Sequence, residues 1–187
     1  MTDQHKRGEF RKIIADNYDR VYSVIYRLIS DAEEAADLTQ DTFVNAYRAW
    51  ETFRGESQIY TWLYRIAVNL TKNRLERQGR ISRTEVASLD APLESHDEDQ
   101  LFFQINDESF APQRLAENRE LRDFLARLVD RLRYDYREVI VLRDYQGFSY
   151  NEMADILDCS LEAVKSRLFR ARSVLRERLE AYLREEP

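Results

Sequence analysis

Hydrophobic side chains recur every three or four residues through the first eighty positions, in three stretches separated by short polar breaks. An α-helix has 3.6 residues per turn, so this spacing places apolar side chains on one face of each stretch. It predicts helices near Glu9–Ile29, Glu33–Trp50 and Ser57–Gln78, the last closed by Gly79. We expect these helices to pack as one compact domain over residues 1–80.

A second helical set follows the middle of the chain. The segment 118–132 is amphipathic, and an apolar run after Tyr134 ends at Gly147. Ser149 and Glu152 then have the spacing of a capping box, and Ser160 can cap the long final stretch. A short helix, a tight turn and a longer basic helix form the helix-turn-helix pattern, although any helical hairpin resembles it.

The segment between these two sets, residues 81–116, has no sustained hydrophobic period. It holds two of the three prolines and the acidic cluster "ESHDEDQ". We interpret it as an acidic flexible linker, with "LFFQI" inside it as a docking point, a short strand or a segment that packs back on a domain. The predicted fold is therefore all-α: two small helical domains, residues 1–80 and 117–187, joined by this linker.

Charge is distributed unevenly, and this changes how the net charge of −6 is interpreted. Residues 81–118 carry nine acidic and two basic side chains, whereas residues 119–187 carry 14 of each sign. The acidity therefore belongs to the middle segment and does not argue against a basic, phosphate-binding helix at the end of the chain.

Cysteine content and hydropathy indicate the compartment. The single cysteine, Cys159, excludes an internal disulfide framework; we expect it to be a small buried side chain, with a redox-sensing thiol as the alternative. No apolar run approaches the roughly 20 residues of a membrane span, and the first residues lack the pattern of a signal peptide. We expect a soluble, cytoplasmic protein.

The final helix combines an apolar stripe with basic neighbours. The stripe expected to face the core is Leu161, Val164, Leu168, Ala171, Leu175 and Leu179. The first turns of a second helix in a helix-turn-helix reach base edges, and arginine can bind guanine with two hydrogen bonds. The candidate DNA-contacting residues are Lys165, Ser166, Arg167, Phe169 and Arg170. A solvated charged face is the alternative, and Phe169 could instead border the core.

Helix 57–78 has a different outer face. The spacing of apolar residues predicts that its buried face consists of Ile59, Leu63, Ile66 and Leu70, with Trp62 alongside. The opposite face then carries Thr61, Tyr64, Arg65, Val68 and Lys72, and Tyr60 lies at the edge of that face. Aromatic side chains beside basic side chains suit the binding of single-stranded nucleic acid, because bases stack on the aromatic rings while the basic groups contact the phosphates. The alternative is that the tyrosines are half-buried amphipathic side chains. The outer face of the second helix, from Asp37 to Arg48, is slightly acidic and suits either another protein or solvent.

Three motifs in order carry a family resemblance. "DLTQDTFVNAYRAW", then "FRGESQIYTWLYRIAVN", then "FSYNEMADILDCSLEAVKSRLFRARSVLRERL" resemble the extracytoplasmic-function (ECF) group of bacterial sigma factors over nearly the whole chain. The resemblance implies sigma regions 2 and 4 in the two domains. It also implies a protein without enzymatic activity, cofactor or metal that directs core RNA polymerase to promoters in a stress response.

The resemblance also implies partners and site residues. The β′ clamp helices of core polymerase would bind Asp37, Gln40, Asp41 and Asn45, and its β subunit would be a further partner. The promoter −10 element would be read and opened by Tyr60, Trp62, Tyr64, Arg65, Asn69 and Lys72, although Trp62 lies nearer the predicted core. The −35 element would be read by the five candidates of the final helix. An anti-sigma factor would be a further partner, and the acidic linker would mimic the polyanion that it displaces in polymerase channels.

Other classes of protein explain less of the sequence. A stand-alone helix-turn-helix regulator would use the same final helix but would leave the aromatic face of helix 57–78 unexplained. An enzyme is disfavoured, since the only histidines are His5 and His96 and there is no HExxH, glycine-rich phosphate loop or paired Cys/His spacing. A purely protein-binding helical module is the remaining alternative.

Overall fold

The structure, a computed structural model, describes residues 3–50, 53, 58–81 and 112–185. These residues form α1 (Asp3–Ile29), α2 (Ala32–Ala49), α3 (Ile59–Arg77), α4 (Pro112–Asp130), α5 (Tyr134–Ile140), α6 (Tyr150–Leu157) and α7 (Leu161–Glu185), and α5 continues into a π-helical turn over Val141–Tyr145. No strand occurs among the described residues, so the all-α prediction is confirmed. The acidic cluster and "LFFQI" lie outside the described residues.

Two helix starts differ from the sequence prediction. The first helix begins at Asp3 and not near Glu9, because its polar first turns give no hydrophobic period to detect. Helix α4 begins at Pro112, inside the segment expected to be linker. Proline is well suited to the first turn of a helix, since the N–H that it lacks would be unpaired there anyway.

The front domain is a bundle of α1, α2 and α3. Val21, Val24, Ile25 and Leu28 of α1 have no exposed surface, and Leu63 of α3 is equally buried. Each such side chain contributes about 1.5–3 kcal/mol relative to an exposed position. This continuous α1 stripe positions both of the helices that carry the candidate site residues of this domain.

The ends of α2 and α3 are fixed by local hydrogen bonds. Asp31 caps α2 by accepting from the Glu34 backbone N–H at 2.9 Å. Gly79 has a φ of +68°, which lets the Arg80 N–H reach back to the Leu75 carbonyl at 3.0 Å and end α3. The Glu34 carboxylate then accepts from the Gln78 amide at 2.6 Å and the Arg80 guanidinium at 3.1 Å, so the two helix ends are joined.

The rear domain contains the predicted helix-turn-helix. Ser149 and Glu152 form the complete capping box at the start of α6. Asp158 ends α6 in the left-handed conformation with φ 51°, and the Ser160 hydroxyl accepts from the Ala163 N–H at 3.1 Å to begin α7. The buried core includes Met153 of α6 and most of the predicted α7 stripe, namely Val164, Leu168, Ala171 and Leu175. Both the caps and the apolar stripe of this unit were predicted correctly from sequence.

The two domains pack directly on each other, which the sequence did not predict. Helix α6 and the turn before it lie along α3, and α5 lies near the end of α1. At that end the Arg137 guanidinium donates to the Leu28 carbonyl at 2.9 Å, and the Arg27 guanidinium lies 3.9 Å from the centre of the Tyr145 ring. This packing determines which candidate residues are exposed.

Candidate polymerase and promoter-DNA interfaces

The outer face of α2 is open to solvent. Asp37, Gln40 and Asp41 are exposed, and the Asn45 amide donates to the Asp41 carbonyl at 2.9 Å. Two apolar side chains that the sequence reasoning did not select, Val44 and Tyr47, are also exposed on this helix, at 46% and 44%. Acidic and amide groups beside exposed apolar side chains form a surface suited to a protein partner.

The aromatic residues of α3 are not free for a ligand in this arrangement. Tyr64 is only 2% exposed, and its ring packs edge-to-face with that of Phe148 at a centroid distance of 4.8 Å. Tyr60 stacks on the same Phe148 ring at 5.8 Å and donates its phenol to the Glu152 carboxylate. The Arg65 guanidinium donates to the Asp155 carbonyl at 2.6 Å. Three of the six −10 candidates therefore bind α6 or the turn before it.

The other −10 candidates lie in different surroundings. Trp62 is half-buried, with its ring 4.8 Å from Phe53 and 6.1 Å from Trp50, which agrees with its predicted position near the core. Asn69 is exposed, and Lys72 is half-buried. Helix α3 therefore gathers Tyr60, Tyr64 and Arg65 at one contact with the rear domain but does not bring Trp62 or Asn69 to it.

The predicted assignment of α3 side chains to a buried and an exposed face was partly wrong. Thr61, Tyr64 and Val68, expected on the outer face, are buried, whereas Ile59, expected inside, is 37% exposed. Helix α3 packs against α1 and α2 on one side and against α6 on another. A single-helix wheel assumes one buried face, so it fails where a second domain covers the other.

Burial and hydrogen bonding keep the two phenols of this contact protonated. Burial raises the pKa of Tyr64 to about 12, with Arg20 acting in the opposite direction. The hydrogen bond to Glu152 raises the pKa of Tyr60, and the hydrogen bonds from Tyr60 and Ser149 lower the pKa of Glu152. At neutral pH a neutral phenol therefore donates to an ionised carboxylate, which is the stronger kind of hydrogen bond.

The −35 candidates of α7 divide into two groups. Lys165 and Phe169 are exposed, and Arg170 is half-buried. Ser166 and Arg167 are each only 4% exposed, which contradicts their expected positions on the outer face and flank of the helix. Phe169, which the sequence placed at the edge of the core, is 40% exposed.

Arg167 is held inside the rear domain by a buried carboxylate. Its guanidinium lies 3.5 Å from the Glu138 carboxylate of α5, and both side chains are almost fully buried. Burial raises the pKa of Glu138 to about 7, while Arg167 and then Lys72 of α3 act to lower it. The α7 sequence alone does not reveal this ion pair, because Glu138 lies 29 residues earlier in the chain.

Sequence reasoning also missed Arg137, Phe148 and Glu152 as residues that join the two domains. No local pattern marks them: Arg137 binds backbone carbonyls, including that of Leu28, and Phe148 reads as an ordinary core residue before a helix. Cys159 is half-buried and not fully buried as expected.

Among the described residues, no group of three or more His, Cys, Asp or Glu side chains is arranged to hold a metal ion. The helices described here also include none that is long and apolar enough to cross a membrane.

Comparison with known proteins identifies both domains. Residues 13–81 match the family model "Sigma-70 region 2", and residues 124–175 match "Sigma-70, region 4". The chain is 36% identical over 188 residues to the ECF RNA polymerase sigma-E factor of Escherichia coli K12, covering 98% of this chain and 95% of that protein. It is 34% identical over 189 residues to the RNA polymerase sigma-H factor of Pseudomonas aeruginosa, covering 99% of this chain and 95% of that protein.

Solved structures agree with this result. The sigma factor RpoE in complex with the anti-sigma factor NepR from Bartonella quintana superposes with a TM-score of 0.64 at 27% identity, covering 92% of this chain and 97% of that one. CnrH in complex with the cytosolic domain of CnrY gives a TM-score of 0.63 at 25% identity, covering 94% and 90%.

A helix-turn-helix domain joined to a second helical domain of this kind defines a transcription initiation factor. The chain belongs to the sigma-70 family and, within it, to the ECF RNA polymerase sigma factors. It is an alternative sigma factor, which binds core RNA polymerase and directs it to promoters and is not itself an enzyme. The stand-alone regulator reading is less well supported, because it does not account for the region 2 match.

Proposed function

We propose that the two domains divide promoter recognition between them. Residues 1–80 bind core polymerase and open the −10 element, residues 81–116 link the domains, and residues 117–187 bind the −35 element. The observation that carries this proposal is the combination, in one chain, of an exposed α2 surface suited to a protein with a helix-turn-helix that presents Lys165, Phe169 and Arg170 outward.

The polymerase contact uses the outer face of α2. Asp37, Gln40, Asp41 and Asn45 supply polar groups that can pair with the β′ clamp helices, and Val44 and Tyr47 add apolar area beside them. The β subunit is a further partner that the family resemblance implies. Interfaces of this kind depend on a few well-packed side chains surrounded by polar groups.

The −10 contact uses α3. Tyr60 and Tyr64 would stack on unpaired bases, at about 1–3 kcal/mol per base, while Arg65 and Lys72 follow the phosphates. Asn69 is already exposed and can hydrogen-bond a base edge. Trp62 supports the start of α3 through its ring contacts with Trp50 and Phe53, and so would act on DNA indirectly.

The −35 contact uses a smaller set than the sequence indicated. Lys165, Phe169 and Arg170 reach the surface, and Arg170 is the best placed of the arginines to read a guanine. Arg167 supports α7 through Glu138, and Ser166 would have to be uncovered before it could touch DNA.

Two further partners and a location belong to the proposal. The solved structure of the sigma factor RpoE is a complex with the anti-sigma factor NepR, and this supports an anti-sigma partner for this chain. We place the protein in the cytoplasm, where polymerase and promoters are. The acidic linker would occupy basic channels of the polymerase as a polyanion mimic.

The test is transcription of fragmented genomic DNA by bacterial core polymerase with and without this protein, with the 5′ ends sequenced. New start sites that share two upstream motifs at fixed spacing are expected, and Gln40→Ala/Asp41→Ala should remove them. If no new starts appear and the free protein binds a palindromic duplex tightly, it acts as a stand-alone regulator and the proposal is wrong.

A further inference from the structure

We propose that the rear domain binds a proton and duplex DNA cooperatively: proton uptake by Glu138 releases Arg167 from the interior of the domain, so that its guanidinium can pair with a DNA phosphate beside the −35 contacts of α7. This linkage deepens the proposed function of α7 and rests on it. The −35 assignment does not by itself require any dependence on pH, so the two proposals can fail separately.

The site of proton uptake is a buried cluster of charged groups where α5 packs against α7. Glu138 and Asp135 of α5 are each 3% exposed, and Arg167 of α7 is 4% exposed. The Arg167 guanidinium lies 3.5 Å from the Glu138 carboxylate, and that of Arg133 lies 3.5 Å from the Asp135 carboxylate. Both distances exceed the roughly 2.7–2.9 Å of a charge-assisted hydrogen bond. The Oδ2 atom of Asp135 has no hydrogen-bond partner among the described residues, so the negative charge of this cluster is incompletely compensated.

The surroundings of Glu138 favour its protonated form. The titratable and charged groups that face it are Asp135 and Tyr134 of α5, Arg167 of α7 and Lys72 of α3. Desolvation raises the pKa of Glu138 to about 7 and Asp135 acts in the same direction, while Arg167 and then Lys72 oppose the rise. A long buried ion pair repays less than the desolvation of its two charges costs. A proton therefore competes with Arg167 for this carboxylate near neutral pH.

Arg167 lies in α7 among side chains that already reach the surface. Lys165 and Phe169 are exposed, and Arg170 is half-buried. Once the Glu138 carboxyl is neutral, a buried guanidinium has lost this compensating charge and is costly to keep inside the domain. Arginine binds phosphate through two parallel hydrogen bonds, so a DNA phosphate at the surface can replace the carboxylate.

Two consequences of proton uptake act in the same direction. The domain loses one negative charge, and Arg167 becomes available to a phosphate, so the affinity for DNA should rise as the pH falls. Coupling between two ligands is reciprocal, so bound DNA should in turn raise the pKa of Glu138.

The experiment titrates the full chain into a fluorescent DNA duplex of random sequence, about 30 base pairs long, at pH 6 and pH 8 and at several salt concentrations. Phosphate contacts do not depend on sequence, so this probe reports the contact that Arg167 would add. Glu138→Gln imitates the protonated carboxyl. Glu162→Gln is the matched control, because it also removes one negative charge, from the exposed first turn of α7, and leaves the buried pair in place.

A further variant tests whether Arg167 itself supplies the new contact. Glu138→Gln/Arg167→Met replaces both members of the pair with uncharged side chains of similar size, a change that buried ion pairs usually tolerate. Urea unfolding at both pH values checks that each variant is folded. A second readout uses the wild type itself: carboxyl carbon-13 resonances of glutamate-labelled protein follow the titration of Glu138 with and without the duplex.

We expect the wild type to gain about fivefold more affinity than Glu138→Gln between pH 8 and pH 6, which is the lower end of usual coupling between two ligands. The two histidines titrate in this range but remain in every variant, so they cancel in the comparison. At pH 6 the salt dependence should steepen by about one phosphate contact, and the double variant should lack that gain. Glu162→Gln should bind more tightly at both pH values and keep the pH dependence of the wild type. The Glu138 midpoint should rise when duplex is present.

Equal pH dependence in wild type and Glu138→Gln would overturn the linkage, and so would a Glu138 midpoint that DNA does not move. A salt dependence that is the same at both pH values, or that steepens equally in the double variant, would show that Arg167 is not released. The −35 assignment fails on a different result: Lys165→Ala/Arg170→Ala would bind the duplex as tightly as wild type at both pH values. If that variant binds weakly while Glu138→Gln behaves like wild type, only the proton linkage is wrong.

Discussion

The ion pair between Arg167 and Glu138 gives the sharpest test of the revised −35 assignment. Both side chains are almost fully buried, at 5% and 3% exposure, with 3.5 Å between nitrogen and oxygen. Removing one partner of a buried pair typically costs about 3–5 kcal/mol, because the other charge is left without compensation. Arg167→Met should therefore lower the free energy of unfolding at pH 8 by about 3 kcal/mol.

Because Glu138 has a shifted pKa, this pair should make the free energy of unfolding depend on pH. Burial raises the folded-state pKa of Glu138 from 4.5 to about 7. The folded chain then binds this proton more tightly than the unfolded chain, so the stabilisation is full below about pH 4.5 and is lost as pH rises through about 7. The difference between the two pKa values corresponds to roughly 3 kcal/mol. Stability should thus fall between pH 5 and 8, and Glu138→Gln should lack that part of the fall.

The assay is urea unfolding followed by circular dichroism at half-unit pH steps. The difference between wild type and Glu138→Gln gives the contribution of Glu138 to the pH dependence of stability. Other groups with pKa values raised by burial, such as Asp135, remain in both proteins and cancel. The cost of Arg167→Met should shrink at pH 5.5, where Glu138 is largely protonated. Identical pH slopes for wild type and Glu138→Gln would refute the reasoning. So would a stable Arg167→Met protein that has lost only −35 preference.

Three further outcomes follow from the structure. Ser149→Ala removes the cap of α6 and should lower the free energy of unfolding by about 1 kcal/mol in a urea titration; no change would mean that the capping box contributes nothing. Gln40→Ala/Asp41→Ala should weaken binding to core polymerase, measured by fluorescence anisotropy, without altering the unfolding midpoint, because both side chains are exposed. Equal affinity would reject the α2 interface. Arg170→Ala should cost about 1–3 kcal/mol at promoters and relax preference at one −35 position, whereas uniform weakening across sequences would indicate a phosphate contact.

Local sequence patterns were sufficient to predict the helices and the exposure of part of the candidate site. Helix periods, the Ser149–Glu152 capping box and the α7 stripe depend on residues within a few turns of each other, so each can be read from the chain directly. The exposure of the outer face of α2 was also predicted well. In the described part of the chain α1 and α3 are the helices that pack most closely on α2, and a helical wheel correctly describes a helix with one buried apolar face.

The exposure of the remaining site residues was decided by the tertiary structure. Arg167 was expected on the flank of α7, but its guanidinium meets a buried carboxylate 29 residues earlier in the chain and the side chain is buried, whereas Arg170 stays half-buried. Tyr64 has the pattern of an outer-face residue, but the turn before α6, more than eighty residues later in the chain, covers it through Gln146 and Phe148. By itself, the sequence determined which helices form and which faces can carry chemistry. Which of those faces are open depended on contacts between distant segments, because burial of one helix face by another domain leaves no periodic signal in either segment.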